Sequence, residues 1–156
     1  MDITVHKNII FEQSKQLLMK KSQLKTTEYH EYYSRYIDKL SPETDLIEGY
    51  QKGKKILIDF IQSIPEDKLL YRYQASKWSI KEVIQHLIDT ERIFLYRCFR
   101  IARNDKTNIE GFEQDDYVKP SEADKKTKSQ LIEEFSINRE NSIMMLKSIS
   151  DENLKY

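Results

Sequence analysis

The sequence predicts an all-α fold, and three observations carry that prediction. Apolar residues recur at intervals of three and four through several long stretches, which is the spacing of one packed helix face. The 156 residues include only 3 glycines and 3 prolines, too few for an all-β domain built on tight turns. A chain of this length with 38% hydrophobic and 33% charged residues can form one domain with a sizeable core.

Charge and cysteine content argue against several classes of protein. The 26 basic and 26 acidic side chains cancel, so the basic surplus of a nucleic-acid binder is missing. No apolar run approaches the roughly 18 residues of a membrane span, and the first residues lack the charged start and apolar core of a secretory signal. With a single cysteine no internal disulfide can form. We therefore expect a cytoplasmic protein that binds neither nucleic acid nor membrane.

A weak apolar stripe in a lysine-rich segment near the N-terminus predicts an extra helix from about Lys7 to Leu24. We interpret residues 1–30 as a helical extension and residues 31–156 as the bundle domain. The stretch 29–36, YHEYYSRY, either lines a pocket with its tyrosines or packs a connecting segment onto the bundle.

The second helix is predicted to begin at Ser41-Pro42 and to end near Ser63, since proline is tolerated in a first turn. Gly53 lies on its apolar face, where a glycine can mark the close approach of another helix. The predicted face consists of Leu46, Tyr50, Leu57, Phe60, Ile61 and Ile64.

The central helix is predicted between Trp78 and Asp105, and the sequence carries a start signal and a stop signal for it. Ser79 precedes Glu82 by three residues, which is a capping box, and Asn104-Asp105 is a plausible stop. The predicted apolar face consists of Ile80, Ile84, Leu87, Phe94, Cys98 and Ile101. The thiol of Cys98 is therefore interpreted as packing, since no activating base is visible beside it.

A polar and irregular stretch follows from residue 106 to residue 124, long enough for a functional loop. Asp115, Asp116 and Tyr117 lie in it, either at the edge of a cleft or on a solvated surface. Thr127 and Gln130 form another capping box and open a last helix that ends near residue 148. Its predicted face consists of Leu131, Phe135, Ser142, Leu146 and Ile149.

Two charged residues interrupt these apolar faces: Glu91 in the central helix and Arg139 in the last one. Opposite charges that are removed from water are tolerable only when they meet. The sequence therefore predicts a bidentate ion pair between Glu91 and Arg139 that joins the two helices. The alternative is that Arg139 extends to solvent and Glu91 pairs elsewhere.

His86 lies at the border of the apolar face of the central helix. Such a residue is either a metal ligand at the edge of a cleft or an ordinary structural or solvated histidine. His6 and His30 have no second histidine three or four residues away, so neither forms a metal motif.

The chain resembles the DinB-like family, in particular the branch called DinB_2. The resemblance covers about residues 31–156 and is carried by motifs in the expected order and spacing. These motifs are YRY (71–73), KWSIKEVIQHLIDTER (77–92), YR (96–97), IARND (101–105), GFEQDDYV (111–118), EEF (133–135) and NRE (138–140).

This resemblance implies a four-helix bundle, often dimeric, that binds nickel or zinc through three histidines in a cleft. His86 matches the ligand of the central helix, and the other two ligands of the family lie in a His-x-x-x-His arrangement on a further, fourth helix that would follow the helix opened by Thr127. Some relatives transfer low-molecular-weight thiols. The sequence departs from the pattern because no such pair follows, so we expect an incomplete site with His86 alone and without a tightly bound metal.

Two functions follow as expectations: a metal-dependent enzyme with an incomplete site, or a non-catalytic bundle that serves an interaction. If the fourth helix is missing, the central helix exposes part of its wide apolar arc, from Val83 and Ile101 to Ile88 and Phe99. We therefore expect self-association or a homo-oligomer.

Overall fold

The computed structural model describes residues 19–155, which contain five α-helices and no β-strand. The all-α prediction is therefore confirmed. The helices are α1 (Ser34–Ile37), α2 (Leu46–Ser63), α3 (Ile80–Ala102), α4 (Gln114–Ser121) and α5 (Lys128–Lys147). Within the described residues, no helix combines the length and the apolar character needed to cross a bilayer.

The long helices pack around α5, which forms the most extensive contacts, with α2 on one side and α3 on the other. Two apolar clusters fill the space between these helices, one toward each end of the bundle. The first cluster consists of Ile61, Ile84, Ile88, Leu131 and Phe135. The second consists of Ile47, Ala102, Ile143, Leu146 and Ile149.

The capping residues of α3 and α5 are those that the sequence indicates, Ser79 and Thr127. The start of α2 differs, because the helix begins at Leu46 rather than at Ser41-Pro42. Asp45 is the capping residue, and its Oδ1 accepts a hydrogen bond from the amide of Glu48 at 3.0 Å. The backbone of Asp45 is extended, so the turn at Ser41-Pro42 does not continue into α2, and the Asp45 carboxylate satisfies a free amide of the first helical turn.

The predicted helix from Lys7 to Leu24 falls largely on residues 7–18, which lie outside the described residues. Its last part is not α-helical: Lys20 is extended and pairs with Asp45, and a short 3-10 turn follows. Hydrogen bonds explain the difference, since the carbonyl of Met19 accepts from the amide of Leu46 at 2.8 Å. The segment is thereby tied to the chain just before α2 and cannot continue as a helix.

The stretch between α3 and α5 is more regular than the sequence predicts. It contains α4, which is capped by Glu113 and packs along α3. A left-handed Glu122 (φ 49°) and the 3-10 turn Ala123–Lys125 then lead the chain toward α5. The long polar loop is therefore partly a helix that covers one flank of α3.

The apolar face of α3 is rotated relative to the predicted one. Ile84, Ile88 and Ala102 are buried against α5 and α2, whereas the predicted core residues Leu87, Phe94 and Ile101 are 41%, 44% and 44% exposed. Ile88 lies about 100° around the helix from Leu87, and α2 and α5 cover the flank of Ile88 rather than the flank of Leu87. The exposed flank, made of Val83, Leu87, Phe94 and Ile101, is called here the open face of α3.

The predicted apolar face of α2 is wrong in the same way at one position. Phe60, predicted to lie in the core, is 60% exposed, while its neighbour Ile61 is fully buried. In both helices the apolar arc is wider than the part that α5 covers.

Candidate functional site

The first turn of α3 is held in place by reciprocal capping bonds. The amide of Glu82 donates to Ser79 Oγ at 3.1 Å, and the amide of Ser79 donates to Glu82 Oε2 at 2.8 Å. Ser79 is fully buried, and its hydroxyl donates to Asp124 Oδ1 at 2.5 Å. The start of α3 is therefore fixed both locally and to the segment that precedes α5.

Arg72 extends this network with two further contacts. Its Nη1 donates to Glu82 at 2.5 Å, and its Nη2 donates to Asp124 at 2.6 Å. One guanidinium thus joins the segment before α3, the first turn of α3 and the turn before α5. The sequence indicates only the capping box, because Asp124 is separated from Ser79 by 45 positions and no local pattern connects them.

His86 lies in the second turn of α3, half-buried beside the open face. Its ring lies against the indole of Trp78, with 4.8 Å between ring centroids and a tilt of 51°. The hydroxyl of Thr90 lies 3.3 Å from Nδ1 and 3.5 Å from Nε2. The hydroxyl can bond one ring nitrogen at a time, which leaves the other nitrogen for a different partner.

Burial lowers the pKa of His86 below its ordinary value, against the opposing influence of Asp89 and Asp115. The charged form is disfavoured because the ring has lost part of its water. At neutral pH the imidazole is therefore predominantly uncharged, which is the form that binds a metal or accepts a proton.

Helix α4 forms the outer wall beside His86. Tyr117 and Phe112 meet edge to face, with 5.5 Å between ring centroids, and both line a small cavity together with His86 and Thr90. The sequence places Asp115, Asp116 and Tyr117 in a loop, and the structure places them on α4.

The described residues do not supply a complete metal site. Among residues 19–155, no group of three histidine, cysteine, aspartate or glutamate side chains is arranged to hold a metal ion. His30 lies elsewhere, at the start of a 3-10 turn, where Nδ1 accepts from the amide of Tyr32 at 3.1 Å. His6 lies outside the described residues. The uncharged imidazole of His86 suits a metal, but one ligand does not form a three-histidine site.

The structure brings Glu91 and Arg139 together between α3 and α5. Arg139 Nε and Nη2 donate to the two carboxylate oxygens of Glu91 at 2.7 and 2.8 Å. The side chains are 18% exposed for Arg139 and 11% exposed for Glu91. Nη1 donates to the carbonyl of Tyr50 on α2 at 3.2 Å. The pair therefore links all three long helices and has a structural role.

Gly53 provides room for this pair. A Cβ atom at that position would lie 3.4 Å from Arg139 Nη1, at the limit of ordinary contact. The guanidinium also lies over the rings of Tyr50 and Phe135, with 4.8 and 5.1 Å to the centroids. The sequence predicts that Gly53 marks the close approach of another helix. The group that approaches is the side chain of Arg139 from α5.

Cys98 is half-buried in α3 and does not line the cavity beside His86. Burial raises the pKa of its thiol, so the thiol stays protonated and is a weak nucleophile at neutral pH.

Comparison with known proteins gives one match. The family model DinB_2, described as the DinB superfamily, matches residues 50–156, which is well over half of the chain. The matched region contains α3, α4 and α5 together with His86, Glu91 and Arg139. No curated protein and no solved structure matches the chain.

Proposed function

Since the chain belongs to the DinB superfamily, we propose that it is a divalent-metal-dependent enzyme in which His86 is a metal ligand. The observation that carries this proposal is the state of the His86 ring. The ring is half-buried, its pKa is lowered by burial, and it lies beside an apolar face that α5 leaves open.

Nickel and zinc are the proposed metals, because both accept imidazole nitrogen as a ligand. Thr90 has the position of an orienting partner: its hydroxyl can bond one ring nitrogen while the other binds a metal. The described residues do not bring three ligand side chains together, so the remaining ligands would come from other groups.

The proposed substrate is a small molecule such as a low-molecular-weight thiol. Phe112, Tyr117 and Val118 line the cavity beside His86 and give it an apolar wall, which would contact the carbon skeleton of such a molecule. Membership of the family supports this part of the proposal.

Metal titration followed by calorimetry and native mass spectrometry tests the proposal. We expect weak, sub-stoichiometric binding of nickel and zinc to the purified chain, because one imidazole does not hold either ion tightly. His86→Ala should abolish that binding. His30→Ala is the matched control and should leave it unchanged.

Binding that is equal in the wild type and in His86→Ala would exclude His86 as the ligand. One tightly bound ion per chain that is lost in His86→Ala would show that carboxylates or a second chain complete the site.

A non-catalytic bundle that serves an interaction is the second candidate. It is favoured by the lack of a three-ligand group among residues 19–155, together with the exposed apolar side chains of the open face. This candidate predicts that any association of the chain is insensitive to a metal chelator and to His86→Ala.

A further inference from the structure

Helix α4 lies between two points at which the chain is anchored. On its N-terminal side, Arg97 Nη2 donates to the carbonyl of Glu110 at 3.0 Å. On its C-terminal side, Asp124 accepts from the hydroxyl of Ser79 at 2.5 Å and from Arg72 at 2.6 Å. Both ends of the segment that carries α4 are therefore bonded to α3 or to the residues just before it.

The helix between these anchors is held less firmly. Its hydrogen bonds stay within residues 113–123. In the described part of the chain, no hydrogen bond or ion pair joins α4 to another helix. Asp115 influences the pKa of His86 through its charge, without bonding to the ring. No residue of α4 is buried, whereas α3 buries four residues and α5 buries six.

Helix α4 is also weak by itself. Its eight residues are fewer than the roughly 12–15 that an isolated helix needs to be even marginally stable in water. Pro120 lies inside it and has no amide to donate. The position of α4 on α3 therefore depends on apolar contacts, such as the edge-to-face pair of Tyr117 with Phe112.

In this position α4 covers His86. The cavity between them has a volume of about 10 Å³, with His86 and Thr90 on the side of α3 and Tyr117 and Val118 on the side of α4. That volume is about the space that one water molecule needs. A substrate cannot reach the imidazole through this cavity until α4 moves.

There is room for such a movement, because both flanks of α4 border open clefts. One cleft has a volume of about 1130 Å³ and is lined on the side of α4 by Gln114, Asp115, Val118 and Lys119. The other has a volume of about 430 Å³ and is lined by Asp116, Tyr117 and Pro120. Helix α4 can therefore shift to either flank before it meets another helix.

Gly111 and Glu122 mark the two ends of the segment that can turn. Gly111 directly follows the anchored Glu110, and a Cβ atom there would meet no atom of the described residues within 4 Å, its chain neighbours aside. Glu122 has a left-handed backbone (φ 49°) and precedes the anchored Asp124 by two positions. Residues at the ends of elements are where hinges absorb changes in backbone angles, and glycine has the widest range of such angles.

We propose that α4 is a lid over His86, which turns about Gly111 and Glu122. In the seated position, described above, it closes the cavity beside His86. In the lifted position that cavity joins the cleft of about 1130 Å³. As a gate for substrate the lid rests on the proposed function, but the movement itself rests only on the contacts of α4.

The test follows lid opening in two ways on the full chain, without metal. Native-state hydrogen exchange of the Val118 amide reports the opening of α4. Diethyl pyrocarbonate acylates neutral imidazole and reports the accessibility of His86, and mass spectrometry separates this histidine from the exposed His30. We expect the Val118 amide to be at least about tenfold less protected than that of Ile88 in α3, and His86 to react more slowly than His30.

Tyr117→Ala should raise the exchange rate of α4 and the acylation rate of His86 by the same factor. About tenfold is expected, because an edge-to-face pair and the area that it buries are worth an effect of that order. Alanine favours helix more than tyrosine does, so weaker helix propensity cannot explain the change.

Gly111→Ala should shift both rates in the opposite direction. Alanine fits at this position and restricts the lifted segment more than the seated one, so both rates should fall about two- to fivefold. Lys119→Ala is the matched control: it truncates an exposed side chain of α4 that does not line the cavity beside His86, and it should change neither rate. Circular dichroism checks that all three variants keep their helix content.

Several results would overturn the proposal. Acylation of His86 as fast as that of His30 in the wild type would show that α4 does not cover the ring. Equal protection of Val118 and Ile88 would show that α4 opens only when the whole bundle unfolds. If Tyr117→Ala speeds exchange but not acylation, α4 unfolds without exposing His86. These readouts need no metal, so a failure of the lid is distinguishable from a failure of the metal-dependent function, which the metal titration tests.

Discussion

The two sides of α3 differ in how completely the rest of the chain covers them. Ile88 points between α2 and α5 and is fully buried, whereas Leu87, the preceding residue, is 41% exposed. Both are large aliphatic residues on the same helix, so the difference comes from the packing of α5 and not from composition. One helix therefore has a side that packs into the core and a side whose apolar residues stay exposed in the described part of the chain.

Polar groups follow the same division. On the side that faces α5, Glu91 and Arg139 satisfy each other. On the other side, His86 has Thr90 and Trp78 as neighbours and keeps one ring nitrogen for another partner. Buried charge in this bundle thus links the helices, while the imidazole of His86 on the open side is the group that we propose as a metal ligand.

The largest expected effect comes from breaking the ion pair on the closed side. Arg139→Met should lower the free energy of unfolding by about 3–5 kcal/mol, because it leaves the Glu91 carboxylate mostly buried and without its partner. Urea denaturation measures this change. The double variant Glu91→Leu/Arg139→Met should recover much of the loss, since no charge remains buried.

Arg92→Met is the matched control for that prediction. Arg92 pairs with Asp89 and Glu134 but is 48% exposed, and exposed pairs contribute at most about 1 kcal/mol. If Arg139→Met is no more destabilising than Arg92→Met, the buried pair does not hold the closed side together.

A smaller effect concerns association through the open face, where we propose that two copies of the chain meet. Exposed apolar side chains at Leu87, Phe94 and Ile101 favour contact with another apolar surface. Phe94→Glu should raise the dissociation constant of the dimer about tenfold or more, as seen by sedimentation equilibrium. Ile137→Glu on α5, also at an exposed apolar position, is the control and should change it little.

A chain that is monomeric at all concentrations would contradict the association. An equal effect of Phe94→Glu and Ile137→Glu would move the interface away from the open face.

The smallest expected effect is the pH dependence of His86. Because burial lowers its pKa in the folded state, the folded protein favours the neutral ring more than the unfolded chain does. The stabilisation is therefore fully present above the ordinary value of about 6.5 and is lost as the pH falls through the lowered folded pKa. NMR titration of the imidazole should give a midpoint below about 6.5.

The matching stability measurement compares wild type with His86→Gln between pH 7 and pH 5. The melting temperature of the wild type should fall more over this interval, because only the wild type must protonate the half-buried ring. A midpoint above 6.5 would mean that Asp89 and Asp115 outweigh burial.

Local signals in the sequence predict the ends of the helices well. The caps Ser79 and Thr127 are short patterns whose hydrogen bonds stay within one turn. The contact between Glu91 and Arg139 is also predictable, because each residue interrupts an apolar face. The end of α2 at Ser63 is predicted from the sequence, but its start is not. The cap at Asp45 depends on its pairing with Lys20, which lies 25 positions earlier in the chain.

The sequence does not predict how residues far apart in the chain pack against each other. The spacing of apolar residues in α3 gives an arc wider than one neighbour covers, so it cannot tell that Ile88 is buried and Leu87 exposed. The bond from Ser79 to Asp124 and the ring contact of Trp78 with His86 depend on how α4 and the connecting segments fold back. For the candidate site, the position of His86 was predictable, but its surroundings were not.

The division of α3 into a closed and an open side is tested most directly by truncating its two adjacent residues and measuring the free energy of unfolding of each variant. Ile88→Ala should lower it by about 2–5 kcal/mol, the usual loss for a fully buried aliphatic side chain. Leu87→Ala should lower it by about 1 kcal/mol, since much of that side chain is already in contact with water. Equal losses in dilute solution, where the chain is monomeric, would show that both sides of α3 are packed in the folded protein and would contradict the account.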